Sequence, residues 1–282
     1  MILPFIEEYT WEGITMLTPA IRLREKLAAG HLVVGVMATD HVWPLLVELC
    51  QKGGLDYLVI DREHGYHSDE VVAHVCQVAR LAEFPVLMRT VSCEMSELGR
   101  AMDLGPCGLL LPCVESTSQL DMVRDAVRMP PRGKRRPGGM GNYWMKDFHY
   151  PTWRDEFEEH FIVIPQIETR VGVENVETIV NHPSVTAVGL GPYDLSADLG
   201  CCWDPDNAEH KAAIGRIREA ADVAGKKVWI GCDTVRLSAE GYTFLWVGTV
   251  SLLLVNGFAT AIGAIKEGKA RHPNAEGGPP PA

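Results

Sequence analysis

Eight short apolar runs recur along this chain, each followed by a helix-like stretch, and that rhythm limits the fold more than any other feature. The runs lie at 32–38, 57–61, 85–89, 108–114, 161–166, 187–190, 227–231 and 244–248. Short, continuous apolar runs are the pattern of strands covered on both faces of a parallel sheet. Helices are expected at 43–52, 68–82, 94–104, 116–128, 173–181, 206–224 and 251–267, the second opened by the capping pair Ser68-Asp69. An earlier helix starts at Pro19 and stops at Gly30. Eight such units in 282 residues predict an α/β fold, a (β/α)8 TIM barrel spanning 19–268. A doubly wound open sheet does not require eight even repeats, and no GxGxxG follows an early strand. Residues 1–18 read as an N-terminal arm and 269–282 as a flexible Pro/Gly-rich tail.

One segment breaks the rhythm. Residues 130–160 include PPRGKRRPGGMGNYW, too rich in Pro, Gly and cations for core, and a connection that long is usually functional or disordered. Its run Lys134-Arg135-Arg136 is expected to order a lid or to meet substrate carboxylates. The formal net charge of −11 argues against nucleic acid or an anionic membrane as partner. Eight cysteines without a CxxC pair are expected to be reduced thiols of a cytoplasmic protein. The opening MILPFIEEYT lacks the basic and apolar parts of a secretory leader. The most apolar stretch, 249–262, is short for a membrane span and carries Asn256.

A barrel brings its strand ends to one mouth, where enzymes of this architecture build their sites. The second run ends in Asp61-Arg62-Glu63-His64, the third in Arg89 and the fifth in Gln166-Ile167-Glu168. The sixth ends in Gly191-Pro192-Tyr193-Asp194 and the seventh in Cys232-Asp233. Glu168 and Asp194, at the ends of adjacent strands, are expected to be neighbours, and such carboxylates repel unless one is protonated or a cation sits between them. Oxygen donors without His or Cys favour a hard ion such as Mg²⁺ or Mn²⁺, and two protein ligands leave positions for water and a bidentate substrate. Gly191-Pro192 lets a ligand approach the backbone, whose amides near Tyr193 and Asp194 could bind a carboxylate. Asp61, three residues before His64, could orient the imidazole and leave its other nitrogen to move protons. Arg89 ends a buried strand, where a guanidinium needs an anion such as an enolate or a carboxylate held by the ion.

IDREH at 60–64, the arginine after PVLM, LLLPCVES ending at Ser116, IPQIETR at 164–170 and GPYDLSADLG at 191–200 follow one another in an informative order. With them the chain resembles, over roughly residues 20–268, the HpcH/HpaI-type class II (metal-dependent) pyruvate aldolases. Relatives of that family include 4-hydroxy-2-oxoheptanedioate aldolase, 2-keto-3-deoxy sugar-acid aldolases and macrophomate synthase. The resemblance implies a barrel of the phosphoenolpyruvate/pyruvate type that reversibly cleaves a 4-hydroxy-2-oxo acid into pyruvate and an aldehyde through a metal-bound pyruvate enolate. It implies Glu168 and Asp194 as metal ligands, Arg89 as the enolate-stabilising cation, His64 with Asp61 as an acid/base dyad, and Glu63 as the acid holding metal-bound water. Gln166, Gly191, Pro192, Tyr193 and Arg62 are expected at the substrate. The implied cofactor is Mg²⁺ or Mn²⁺, with Co²⁺ or Zn²⁺ as alternatives. The implied assembly is a homohexamer, a trimer of dimers exchanging the C-terminal helix, which the apolar run 251–265 fits.

The departures fall around the second substrate. Arg62 stands where relatives carry a small residue, Gly139 where they carry a serine, and Thr249-Val250 where they carry an aspartate. Arg62, His67 and the 130–160 segment are therefore expected to set aldehyde preference. Rival readings are a citrate-lyase-β-like carbon–carbon lyase acting on a CoA thioester and a catalytically degenerate metal-binding barrel. No nucleotide site is evident for the first, and a dead site has no need of Asp61, His64, Arg89, Glu168 and Asp194 together.

Overall fold

The structure, a computed structural model, describes residues 17–136, 138–144, 149–231 and 233–271. The first half alternates α1 (Thr18–Ala28), β1 (Val33–Ala38), α2 (Leu45–Lys52), β2 (Tyr57–Asp61), α3 (Asp69–Leu81), β3 (Val86–Arg89), α4 (Met95–Leu104), β4 (Gly108–Leu111) and α5 (Thr117–Val127). After a one-turn helix α6 (Tyr150–Trp153) come β5 (Ile162–Ile167), α7 (Arg170–Glu174), α8 (Val176–Val180), β6 (Val188–Leu190) and α9 (Pro192–Asp198). The chain then forms α10 (Ala208–Val223), β7 (Val228–Gly231), α11 (Thr234–Ala239), β8 (Phe244–Thr249) and α12 (Val250–Arg271). All eight strands run parallel in chain order, and β8 pairs back onto β1 to close the barrel. The expected TIM barrel is what the chain forms.

Large side chains set against glycines fill the barrel. Trp229 stacks on Trp246 at 5.5 Å and donates from Nε1 to the Tyr57 hydroxyl, which donates in turn to the Leu245 carbonyl at 2.7 Å. A Cβ on Gly35 would lie 2.3 Å from the Tyr57 ring, and one on Gly231 would lie 2.1 Å from Trp246. The close packing of an interior leaves no slack for either. Local signals set the helix starts. The Ser68 hydroxyl accepts from the Val71 amide, and Ser116 with Gln119 forms a capping box. Thr169 caps the helix expected at 173–181 and starts it at Arg170 instead.

The 130–160 segment departs from expectation in two ways. It has core of its own: Trp153 and Phe157 are fully buried and stack at 3.9 Å, with the buried Arg135 guanidinium 5.5 Å from the Trp153 ring. Burial pushes Arg135 down to about 10, which Asp103 and Glu158 only partly oppose. It also joins a helix end to a strand start, so it sits on the face of the barrel away from the mouth. There Trp144 Nε1 donates to the Gly105 carbonyl at 3.1 Å, and a Cβ on Gly139 would meet the Asp103 carbonyl at 2.5 Å. Within one chain, Arg135 and Gly139 therefore lie away from the mouth and form no lid over it.

Helix α12 leaves the barrel after touching β8 and β1. Leu252, Val255, Phe258, Ile262 and Ile265 are exposed, Phe258 by 66%. The stretch read as too short for a span is longer than expected. Val250–Lys269, with mean hydropathy 1.3, is long and apolar enough to cross a membrane by length and composition alone.

Candidate active site

Asp61 and Arg89 close β2 and β3 and stand opposite each other in register. Both are buried, and the guanidinium forks onto the carboxylate, Nε to Oδ1 at 2.8 Å and Nη2 to Oδ2 at 2.7 Å. Asp61 also accepts from the Thr39 hydroxyl at 2.8 Å and from the Glu63 and His64 amides at 3.0 and 3.3 Å. Burial alone would raise the Asp61 pKa, but these bonds, Arg89 foremost, hold it below the usual carboxylate value. Burial likewise works against the Arg89 charge and is outweighed by Asp61, Glu63 and Glu168.

This geometry corrects the expected dyad. Asp61 bonds the backbone of His64 and not its ring, because its oxygens are taken by Arg89, Thr39 and the turn. A three-residue spacing places two side chains together on a helix, whereas here it spans a tight turn held by an aspartate. A Cβ on Gly65 would lie 2.1 Å from the Asp61 carbonyl oxygen. The His64 imidazole is 61% exposed, with Nε2 at 4.0 Å from the Glu63 carboxylate. Arg62 is also diverted from its expected substrate contact, pairing with Asp69 at 2.5 Å. His67 Nε2 lies 2.9 Å from the Thr39 carbonyl.

Across the mouth, Glu168 follows β5 and is buried. Its Oε1 accepts the Cys113 amide at 2.7 Å, and its Oε2 accepts from the Gln166 side-chain amide. Cys113 adopts φ 47, the left-handed region disfavoured without glycine, and this aims its amide at the carboxylate. Gln166 Oε1 is buried with no hydrogen-bond partner among the described residues. A Cβ on Gly191 would meet Glu168 Oε2 at 2.3 Å and Gln166 Nε2 at 2.7 Å, so only glycine leaves this space open. Asp194 lies in the first turn of α9, where an acid suits the helix dipole; the expected open turn is a short helix. Pro192 opens that helix, and the Tyr193 ring meets Trp203 edge-on at 6.1 Å.

The acids act on one another. Burial pushes the Glu168 carboxyl up to about 7, with Asp194 and Glu63 adding to the rise and the Cys113 amide opposing it. Burial raises Glu63 too, against Arg89 and His64, and the Cys113 thiol is pushed up to about 12 by burial and Glu168. Among the described residues, no group of three or more His, Cys, Asp or Glu side chains forms a ready-made metal cage. The donor set fits a hard ion that takes two carboxylates and completes its shell from water and substrate. Unneutralised acids, an unfilled Gln166 acceptor and the clearance at Gly191 all suit such an ion.

Three neighbours of the site escaped the sequence reading. Thr39 directly follows the first run, Asp40 bonds Ser251 between β1 and β8, and Cys113 was placed inside a strand that ends at Leu111. Pro112, which cannot donate to a sheet ladder, was the signal for that strand end. Cys232 lies outside the described residues, and Asp233 caps α11 by accepting the Arg236 amide.

A closed parallel barrel with an Asp–Arg fork and interacting carboxylates at the strand ends defines a TIM-barrel enzyme with an acidic mouth. More particularly, the chain belongs to the HpcH/HpaI aldolase/citrate lyase family, whose sequence profile matches residues 40–256. It is 32% identical over 213 residues to a hydroxypyruvate/pyruvate aldolase of Chromohalobacter salexigens, covering 73% of this chain and 83% of that protein. It is 28% identical over 254 residues to a 2-keto-3-deoxy-L-rhamnonate aldolase of Shigella boydii, covering 87% and 93%. The HpcH/HpaI aldolase structure from Desulfitobacterium hafniense matches with a TM-score of 0.78 at 29% identity, over 87% of this chain and 96% of that one. The protein is thus an aldolase of this family, a carbon–carbon lyase.

Proposed function

We propose that this aldolase reversibly cleaves a 4-hydroxy-2-oxo acid into pyruvate and an aldehyde, with Mg²⁺ or Mn²⁺ held by Glu168 and Asp194. The observation that carries this reading is Glu168, a buried carboxyl raised to about 7 beside Asp194 and Glu63, which a bound cation would return to its charged form. The names of the two aldolase relatives support a 2-oxo acid as substrate. When bound, the ion supplies Lewis acidity toward the 2-oxo group.

The chain's own residues supply the rest. Arg89, fixed by Asp61 and 3.2 Å from Glu63, provides a preorganised cation for negative charge developing on the keto oxygen. Asp61 serves as its positioning residue. His64, exposed at the mouth, takes and returns the 4-hydroxyl proton directly or through one water, with Glu63 rather than Asp61 as its neighbouring acid. Gln166 Oε1 and the backbone at Gly191, Pro192 and Tyr193 border the space for the pyruvate carboxylate.

The test is exchange of the pyruvate methyl protons in D2O, followed by proton NMR. Exchange is expected to fall to background after chelation and to return with Mn²⁺. Full-rate exchange by the chelated enzyme would remove the ion from the account. The same reading assigns the exposed apolar side of α12 to a second copy within a cytoplasmic homohexamer, not to a bilayer. Asn256, Gly257 and Gly263 interrupt the apolar run, and Lys266, Glu267 and Lys269 crowd its end. Light scattering of detergent-free protein checks this; a species soluble only in detergent would favour the bilayer.

A further inference from the structure

On the face of the barrel opposite the mouth lies a polar cavity of about 120 Å³. Phe161 before β5, Val185 before β6 and Lys226 before β7 border it, so it sits at the strand starts, away from the strand ends where the acids converge. Four cations line it: Arg24 from α1, Arg124 in α5, Arg128 at the C-cap of α5 and Lys226 from the turn after α10. In a chain of net charge −11, that is a local excess of positive charge.

The chain does not balance this charge itself. Arg124 is the exception, held by Asp121 and Asp125. Glu158 and Glu159 also border the cavity, but both pair with Arg132, which does not line it. Arg24 donates from Nη1 to the Thr186 hydroxyl at 2.9 Å, and Lys226 donates to the Val185 carbonyl at 2.8 Å, both neutral acceptors. The Arg128 guanidinium has no hydrogen bond or ion pair among the described residues. None of the unbonded nitrogens of Arg24 or Arg128 is sealed from solvent, so an occupant can reach them. Burial works against the charges of Arg24 and Lys226, Arg24 lowers Lys226 further, and Glu159 only partly supports Arg24. Helix C-termini attract cations, which accounts for Arg128 at the end of α5 but not for three cations on one cavity.

We infer that this cavity binds the phosphoryl group of inorganic phosphate or of a phosphate monoester, held by Arg24, Arg128 and Lys226. Guanidinium groups match phosphate oxygens in bidentate pairs, and an ammonium adds a point charge. Three cations suit a dianion better than a monocarboxylate such as pyruvate. The volume is well below the ~300–1,000 Å³ of pockets that take whole small molecules, but it has room for one oxyanion group. The organic part of a monoester would project into solvent. The bound group would tie α1, α5 and the turn between α10 and β7 together, on the far side of the barrel from the mouth.

The test is calorimetric titration of the intact, chelated enzyme at fixed ionic strength, chelation removing any ion at the mouth that phosphate could join. Inorganic phosphate and glycerol 2-phosphate are the two probes. One phosphoryl group per subunit is expected to bind saturably, with Kd of ~1 mM or tighter. Arg128→Gln, which breaks no side-chain bond among the described residues, is expected to weaken binding ~10-fold or more, and Arg128→Glu to abolish it. Thermal unfolding checks that both variants fold, and phosphate should raise the midpoint of the parent but not that of Arg128→Glu. Tighter binding of phosphate would identify the free anion as the occupant, and tighter binding of glycerol 2-phosphate a monoester. Absence of saturable binding by either probe, or equal affinity in Arg128→Gln, would overturn the inference. The readout is binding, so it stands whether or not the proposed aldol reaction does.

Discussion

Asp61 and Glu168 are both buried carboxylates at strand ends of one mouth, yet their surroundings drive them in opposite directions. Asp61 accepts two bonds from Arg89, one from Thr39 and two from backbone amides, and stays below its usual value. Glu168 has two amide donors and acidic neighbours, and rises to about 7. Burial does not by itself decide the state of a carboxylate; the balance of donors and cations does. One side of the mouth is electrostatically complete within the chain, and on the other the acids raise one another.

Glu168→Gln is the strongest way to break that contrast. The amide keeps the shape and loses the charge, so pyruvate exchange at saturating Mn²⁺ is expected to fall ~10³-fold or more. A variant within tenfold of the parent would put the ion elsewhere. Next comes Arg89→Met, expected to lower kcat by ~10²–10³-fold through loss of the cation facing developing charge. It also strands Asp61, at a cost of ~3–5 kcal/mol in urea unfolding. Adding Asp61→Leu should restore stability but not activity, because an apolar pair can replace a buried ion pair without replacing its chemistry.

The two acids are also expected to give pH dependences of opposite sign in the ion-free protein. The folded value of Asp61 lies below its ordinary 3.8, so its stabilisation is full above that pH and is lost as pH falls through the folded value. The folded value of Glu168, about 7, lies above its ordinary 4.5. Between those values the folded state holds the extra proton, so stability declines as pH rises from 4.5 to about 7. The decline is complete above 7, on the order of 3 kcal/mol. Urea unfolding of chelated enzyme across this range checks both. Glu168→Gln should flatten the alkaline decline, and Asp61→Asn the acid loss. Unchanged curves in the two variants would assign the dependence to other groups.

The barrel was legible because its signals are local: continuous apolar runs, a serine cap at Ser68, a capping box at Ser116. Convergence of Glu63, Glu168 and Asp194 followed from strand ends alone. What a single sequence does not carry is which partner claims a shared group. Asp61 and His64 have a spacing that suits a dyad, but the register of β2 on β3 hands the carboxylate to Arg89. Composition marked 130–160 as coreless because it averages over Trp153 and Phe157, two buried residues that stack on each other and give the segment a small core. An all-round apolar pattern announced α12 as needing a cover without saying which.

The smallest expected effect sharpens the contrast from its edge. Arg62 sits beside the Asp61 turn but spends its charge on Asp69, which Arg100 also contacts at 2.7 Å. The two cations jointly hold the Asp69 carboxylate below its ordinary value. Removing one leaves Asp69 paired, and partly exposed ion pairs contribute little, so Arg62→Ala should cost less than ~1 kcal/mol in urea unfolding. Pyruvate exchange should stay within about twofold if, as proposed, Arg89 and not Arg62 faces the developing charge. Comparing succinic semialdehyde with glycolaldehyde as acceptor isolates the remaining role. A KM rise of tenfold or more for the charged aldehyde alone would mean that Arg62 leaves Asp69 to meet a distal carboxylate. Equal KM values would confine Arg62 to the surface network and leave the completed side of the mouth to Asp61 and Arg89.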